Sequence, residues 1–166
     1  MKKLILFSSL LLISLGLSAK LNPQQKIAGA YASTFECECL GVELDGSQTI
    51  RSFGTGRNRM DAVDQAEKNA VRAVIFKGIS KGTGECNTKP LLMEVNAEDK
   101  YEDYFNAFFK DGGEYRDFIS KKDGNHAHTE LINTRLKSGS QATYRVVVRV
   151  LRPQLKAKLK ADGIIK

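Results

Sequence analysis

Three cysteines and two histidines are the residues in this 166-residue chain whose types and spacing most readily suggest chemistry. Cys37-x-Cys39 and His126-x-His128 would each put two ligating side chains on one face of a strand, and Cys86 could join them around a metal. The spacings match no closed zinc motif. In an exported chain one pair of thiols would instead oxidise, Cys86 with Cys37 or Cys39. A third state, small buried thiols with no bond, stays open. No metal and no cofactor is expected, and His126 and His128 read as ordinary edge-strand residues.

Gly54-Thr55-Gly56-Arg57 precedes a helix, which invites a phosphate-cradle reading. The third glycine of the dinucleotide fingerprint is missing, so a plain strand-to-helix turn is expected. The aromatic run from Tyr101 to Phe118 could bind a sugar or an apolar ligand, with Tyr101 and Tyr104 as the candidate ligand face. Its helical spacing favours core, and the chain has no tryptophan. Asp61 and Asp64 fall on a solvated helix face, where Asp64 can pair with Lys68. Asp111, Glu114 and Asp117 flank a loop without forming an acid–base pair. There is no Gly-x-Ser-x-Gly elbow and no His-Glu-x-x-His motif, so no catalytic residue is assigned.

The element that must position these groups is a helix over 58–76. At about 100° per residue, Ala62, Val63, Ala66, Ala70, Ala73 and Val74 share one stripe. Small side chains there let the backbone lie close to a sheet. Asp61, Asp64, Gln65, Lys68 and Arg72 fall opposite. Asn58 with Asp61 forms a capping pair at the start, and Gly78 is the stop. Ahead of the helix, Tyr31 to Leu44 reads as a strand, with Phe35, Cys37 and Cys39 alternating with polar residues. The apolar parity then shifts to Leu40, Val42 and Leu44, which predicts a bulge near Gly41. Asp45-Gly46 predicts a hairpin into a strand over 49–53.

After the helix, 80–90 reads as a loop. Asn96 caps a second helix, with Asp99 as its third-position acid. Tyr101, Tyr104, Phe105, Phe108 and Phe109 share a face that covers Ile75, Phe76 and Ile79. Gly112-Gly113 ends it, and 115–119 reads as a strand. His126 to Lys137 and Gln141 to Leu151 read as a hairpin, with Tyr144, Val146, Val148 and Val150 on one side and Arg145 and Arg149 on the other. Pro153 opens a short helix with Leu155 and Leu159 as its apolar side and Lys156, Lys158 and Lys160 as its polar side.

Residues 1–19 have the form of a secretory signal: Lys2 and Lys3, an apolar run from Leu4 to Leu17, then Ser18-Ala19. Residues 20–30 read as a leader, and 31–166 as a single domain. The formal charge is +7, of which Lys2 and Lys3 would leave with the signal. A moderate positive balance favours contact with anionic surfaces. The basic residues are scattered and the chain reads as exported, so nucleic acid is not an expected partner. The last helix is too short for a strong membrane anchor, so membrane contact is at most peripheral.

Gly54-Thr-Gly56, Ala62-x-x-x-Ala66-x-x-Asn69-Ala70-Val71, the strand Tyr144-Arg-Val-Val-Val-Arg-Val150 and Leu155-x-x-x-Leu159 together resemble a bacterial envelope family. They are similar to the N-terminal domain of the flagellar assembly protein FlgT and the small outer-membrane lipoproteins related to it. The resemblance implies an alanine-rich helix on an antiparallel sheet, an envelope location and no catalytic residues. The chain departs from it in lacking a lipid-attachment cysteine and in carrying the aromatic insertion over 91–119. The expected architecture is α+β and two-layered, with the alanine-rich helix and the aromatic helix on a mostly antiparallel sheet. The expected role is an exported accessory or interaction module of the periplasm or cell envelope with a protein partner, not an enzyme. The alternatives are a small-ligand or glycan-binding protein and a hydrolase whose site is scattered in sequence.

Overall fold

The structure, a computed structural model, describes residues 36–120, 129–133 and 141–166. The signal and leader over 1–30, the strand start over 31–35, the turns over 121–125 and 138–140, and His126 and His128 lie outside these residues.

Strand β1 (Glu38–Val42) and strand β2 (Gln48–Gly56) form the hairpin expected at Asp45-Gly46. Gly46 takes φ +77°, and Glu43 N–H donates to the Ser47 carbonyl at 2.9 Å. The Asp45 carboxylate accepts from Ser47 N–H at 2.9 Å, the local bond that makes Asp a turn former. The register slips between Cys39 and Gly41, which is the bulge the parity change demanded.

The organising helix, α1, runs over Arg59–Arg72 and continues as a widened π turn over Ala73–Lys77. Asn58 stands in extended backbone and its side-chain oxygen accepts from Asp61 N–H at 2.9 Å. Gly78, at φ +75°, stops the chain where a Cβ would meet the Thr88 carbonyl oxygen at 1.9 Å. The carbonyls of Val74 and Ile75 are left without helical donors at that end. They accept instead from Leu91 N–H at 3.0 Å and Leu92 N–H at 2.8 Å.

Strand β3 (Lys81–Gly82) is a two-residue parallel bridge onto β1. Strands β4 (Thr129–Asn133) and β5 (Ala142–Val150) are the antiparallel last pair. The sheet is five-stranded in the order β3-β1-β2-β5-β4, antiparallel except at β3. Its inner face carries Ile50, Ser52, Val146, Val148 and Val150, all buried. Helix α1 lies there, with its alanine stripe inward and Ala62, Ala66 and Ala70 fully buried. Ser52 Oγ donates to the Ala66 carbonyl at 2.8 Å, and Asn69 Nδ2 to the Phe53 carbonyl at 2.8 Å. This is the α+β arrangement expected of the alanine stripe.

Strand β3 falls in the stretch expected to be a loop, and two further elements differ from expectation. The second helix is broken at Tyr101 into α2 (Ala97–Lys100) and α3 (Glu102–Phe108). Asn96 does not cap it by its side chain; it sits at φ +58° and turns the chain. Ala97 and the Phe105–Phe109 cluster both have to face the core, and the break lets two short segments do so independently. The strand expected over 115–119 is a 3₁₀ turn over Glu114–Phe118, and Ile119 alone bridges to Val150. Tyr115 and Phe118 are both buried while Glu114, Arg116 and Asp117 are exposed. Two inward residues three apart suit a 3₁₀ turn and not the alternation of a strand. Helix α4 (Arg152–Ala161) follows β5, with Pro153 in its first turn and Leu155 and Leu159 fully buried.

Candidate functional site

Cys39 and Cys86 are joined by a disulfide, with Cα atoms 5.7 Å apart. Of the two pairings open in sequence, this is the one formed. Cys39 points at the loop over 80–90, which is stitched to β1 by Thr83 N–H to the Cys39 carbonyl at 3.1 Å. Cys37 keeps its thiol, which lies 3.5 Å from Ser52 Oγ and 3.8 Å from the Asn69 carbonyl. Burial, only partly offset by the Ser52 hydroxyl, pushes that thiol above its ordinary range, so it stays protonated and unreactive at neutral pH. The bond takes two of the thiols out of any metal set, and among the described residues no group of three or more His, Cys, Asp or Glu side chains could hold an ion. The disulfide spans a sequence separation of 47. Replacing Cys39 and Cys86 together with serine is expected to lower stability by about 2–4 kcal/mol in denaturant melts. Cys37→Ser should shift it by less than about 1 kcal/mol, because no cross-link is lost.

Gly54-Thr55-Gly56 is not a cradle. A Cβ on Gly54 would lie 2.0 Å from the Ala62 carbonyl oxygen, and one on Gly56 2.4 Å from Ala62 N. The space a phosphate would need is filled by the backbone of α1. Thr55 and Thr143 share a hydroxyl–hydroxyl bond of 2.8 Å, and Arg57 projects into solvent beside Asp61.

The aromatic segment is largely interior. Phe105, Phe108, Phe109, Tyr115 and Phe118 are buried, and Phe105 meets Phe76 edge to face with centroids 4.7 Å apart. Tyr101 and Tyr104 are half-buried at its margin. The Tyr104 hydroxyl donates to Asp162 at 2.6 Å and ties α3 to the end of α4. Burial, then that carboxylate, raises its pKa far above the ordinary tyrosine value. Its hydroxyl is thus committed to the fold, while Tyr101 lies under the Lys100 ammonium at 5.0 Å.

The face of α1 opposite the alanines is not a simple solvated face. Asp64 does pair with Lys68, at 3.0 Å, but it also accepts from the Tyr115 hydroxyl and from Arg116. Lys68 continues to Asp111 at 2.6 Å, and its side chain is only 13% exposed. Arg72 pairs with Glu98 and lies 4.8 Å from the Phe109 ring centroid. The 3₁₀ turn and the aromatic rings roof this face. Tyr115 and Arg116 were not among the sequence candidates, because the loop that delivers them carries no local signal for the long-range contact.

The shifts in this cluster follow from its burial and its hydrogen bonds. Burial works to raise the Asp64 pKa, but the bonds from Tyr115, Arg116 and Lys68 outweigh it and hold the carboxyl below its ordinary value. Burial and the Asp64 charge push Tyr115 up to about 12. Glu67 is raised by burial and by Asp64. Asp64 is a depressed carboxylate, so its stabilising contribution is complete above the ordinary carboxylate range. It is lost as pH falls through the folded value. Asp64→Asn is expected to cost about 1–2 kcal/mol near neutral pH. In urea melts its deficit against the parent should shrink once pH falls below about 4. A deficit that persists unchanged in acid would show that charge is not what Asp64 contributes.

Comparison with known proteins found no family model, no curated protein and no solved structure that matches this chain.

Proposed function

We propose that the chain is an exported accessory or interaction module of the cell envelope that works by contact rather than catalysis. The observation that carries this reading is the buried Cys39–Cys86 disulfide. Such bonds persist in oxidising compartments and are rare in reducing ones. It agrees with the charged start and apolar run of residues 1–19, which read as an export signal. The interior placement of the aromatic rings favours contact over ligand turnover. The resemblance to the N-terminal domain of FlgT points the same way, toward an envelope location.

The exported protein is expected to begin near Lys20 when its N-terminus is sequenced, and a start at Met1 would overturn the export reading. Affinity capture from the envelope fraction should then return a protein partner. A small-molecule or glycan ligand competing at Tyr101 and Tyr104 would favour the binding-protein alternative instead.

A further inference from the structure

We propose that α4 docks the protein on a bilayer bearing anionic lipid, through Lys156 and Lys160 with Lys89 beside its start. The proposal rests on the envelope reading above and supplies its surface. Leu155 and Leu159 are fully buried and fasten α4 to the fold. Arg152, Lys156 and Lys160 recur at every fourth residue, so they run along one flank of the helix. Lys156 and Lys160 are exposed, whereas Arg152 is half-buried with its Nη1 buried, so it anchors the start of the helix rather than presenting charge to solvent. Arg152 Nη2 donates to the Lys89 carbonyl at 3.0 Å, which sets exposed Lys89 against the start of the row.

The acids that pair with α4 do so on its other flank, and Asp45, in the turn that packs on Pro153, is held by Arg149 at 3.1 Å. Lys158 takes Glu114 at 3.0 Å and Asp162 at 2.9 Å. Tyr104 of α3 joins α4 through the same Asp162. Lys89, Lys156 and Lys160 make no ion pair among the described residues. Among the described residues these lysines are therefore uncompensated.

Their chemistry suits a diffuse anionic plane better than a protein carboxylate. Lysine ammonium is a point charge on a flexible stem and lacks the planar fork that gives directional carboxylate recognition. A straight row on a convex helix meets a plane along its whole length. Helix α4 has ten residues, and no described helix is long and apolar enough to cross a membrane. The contact is thus electrostatic adsorption, weakened by salt.

The test is sedimentation with vesicles of phosphatidylcholine, with and without phosphatidylglycerol. It uses the chain lacking residues 1–19, which keeps every described residue. Binding is expected only to the phosphatidylglycerol vesicles, falling as salt rises. Lys156→Gln with Lys160→Gln should weaken it about 30-fold, the effect of two surface lysines. Arg57→Gln with Lys110→Gln removes the same charge from exposed positions off α4 and should leave binding nearly unchanged. No binding, equal binding to both vesicles, or equal loss in the two double variants would overturn the proposal. Binding to soluble polyglutamate without binding to vesicles would also overturn it, in favour of an acidic protein. Vesicle binding can fail while the N-terminus still begins near Lys20, so this failure is distinct from failure of the export reading.

Discussion

Phe105→Ala is expected to lower the stability of this protein by about 3–5 kcal/mol, the range for a large aromatic removed from a core. Phe105 is 2% exposed. Its ring has neighbours on several sides: Phe76 at 4.7 Å, Tyr104 at 5.1 Å, Phe109 at 6.2 Å and Phe108 at 6.3 Å between centroids. Those neighbours are themselves held. Tyr104 is tied to Asp162, Phe109 lies under Arg72, and Phe108 stacks on Phe118. The cavity therefore cannot collapse cheaply, and both the transfer term and the cavity term are felt. Denaturant melts of the variant beside the parent give the number. A loss below about 1 kcal/mol would mean the segment is not core and would promote the ligand-binding reading. Tyr101→Ala, at the half-buried margin, should cost clearly less.

Gly54→Ala is expected to cost about 4 kcal/mol, more than the usual penalty of an added methyl. The new Cβ would sit 2.0 Å from the Ala62 carbonyl oxygen and 2.4 Å from Ala66 N. Both are backbone atoms of α1, so no side chain can swing away. Helix α1 would have to lift from β2, stretching the Ser52–Ala66 and Asn69–Phe53 bonds at the same time. Gly41→Ala is the control, because a Cβ there meets only the Glu85 carboxylate at 3.6 Å, an ordinary contact. It should be nearly neutral in the same thermal melts. Equal effects at the two positions would mean α1 does not approach the sheet as closely as described.

The alanine stripe, the Asn58 cap, the Gly78 stop, the bulge at Gly41 and the Asp45-Gly46 turn were legible because each is a local matter of period, capping or backbone freedom. Local signals also placed β5 and α4, through strict alternation and the Leu155–Leu159 spacing. The aromatic segment was legible as core but not in form. Its helix breaks at Tyr101, and its last piece is a 3₁₀ turn, since packing against α1 overrode the local preference. The Tyr115-x-x-Phe118 spacing was the available signal for that turn.

For the candidate sites the division is sharper. The sequence by itself determined which groups existed: three thiols, an acidic and basic face on α1, and a lysine-rich last helix. It left open which thiols pair, and it read Asp64 and Lys68 as solvated. Only the tertiary structure joined Cys39 to Cys86 and brought Tyr115 and Arg116 onto Asp64. The same is true of the sorting of α4, where among the described residues Lys158 meets acids and Lys156 and Lys160 meet none. Period and capping are written in neighbouring residues, whereas these partners lie far apart in the chain. Their meeting depends on how the whole sheet and its covering layer close, which no local window contains.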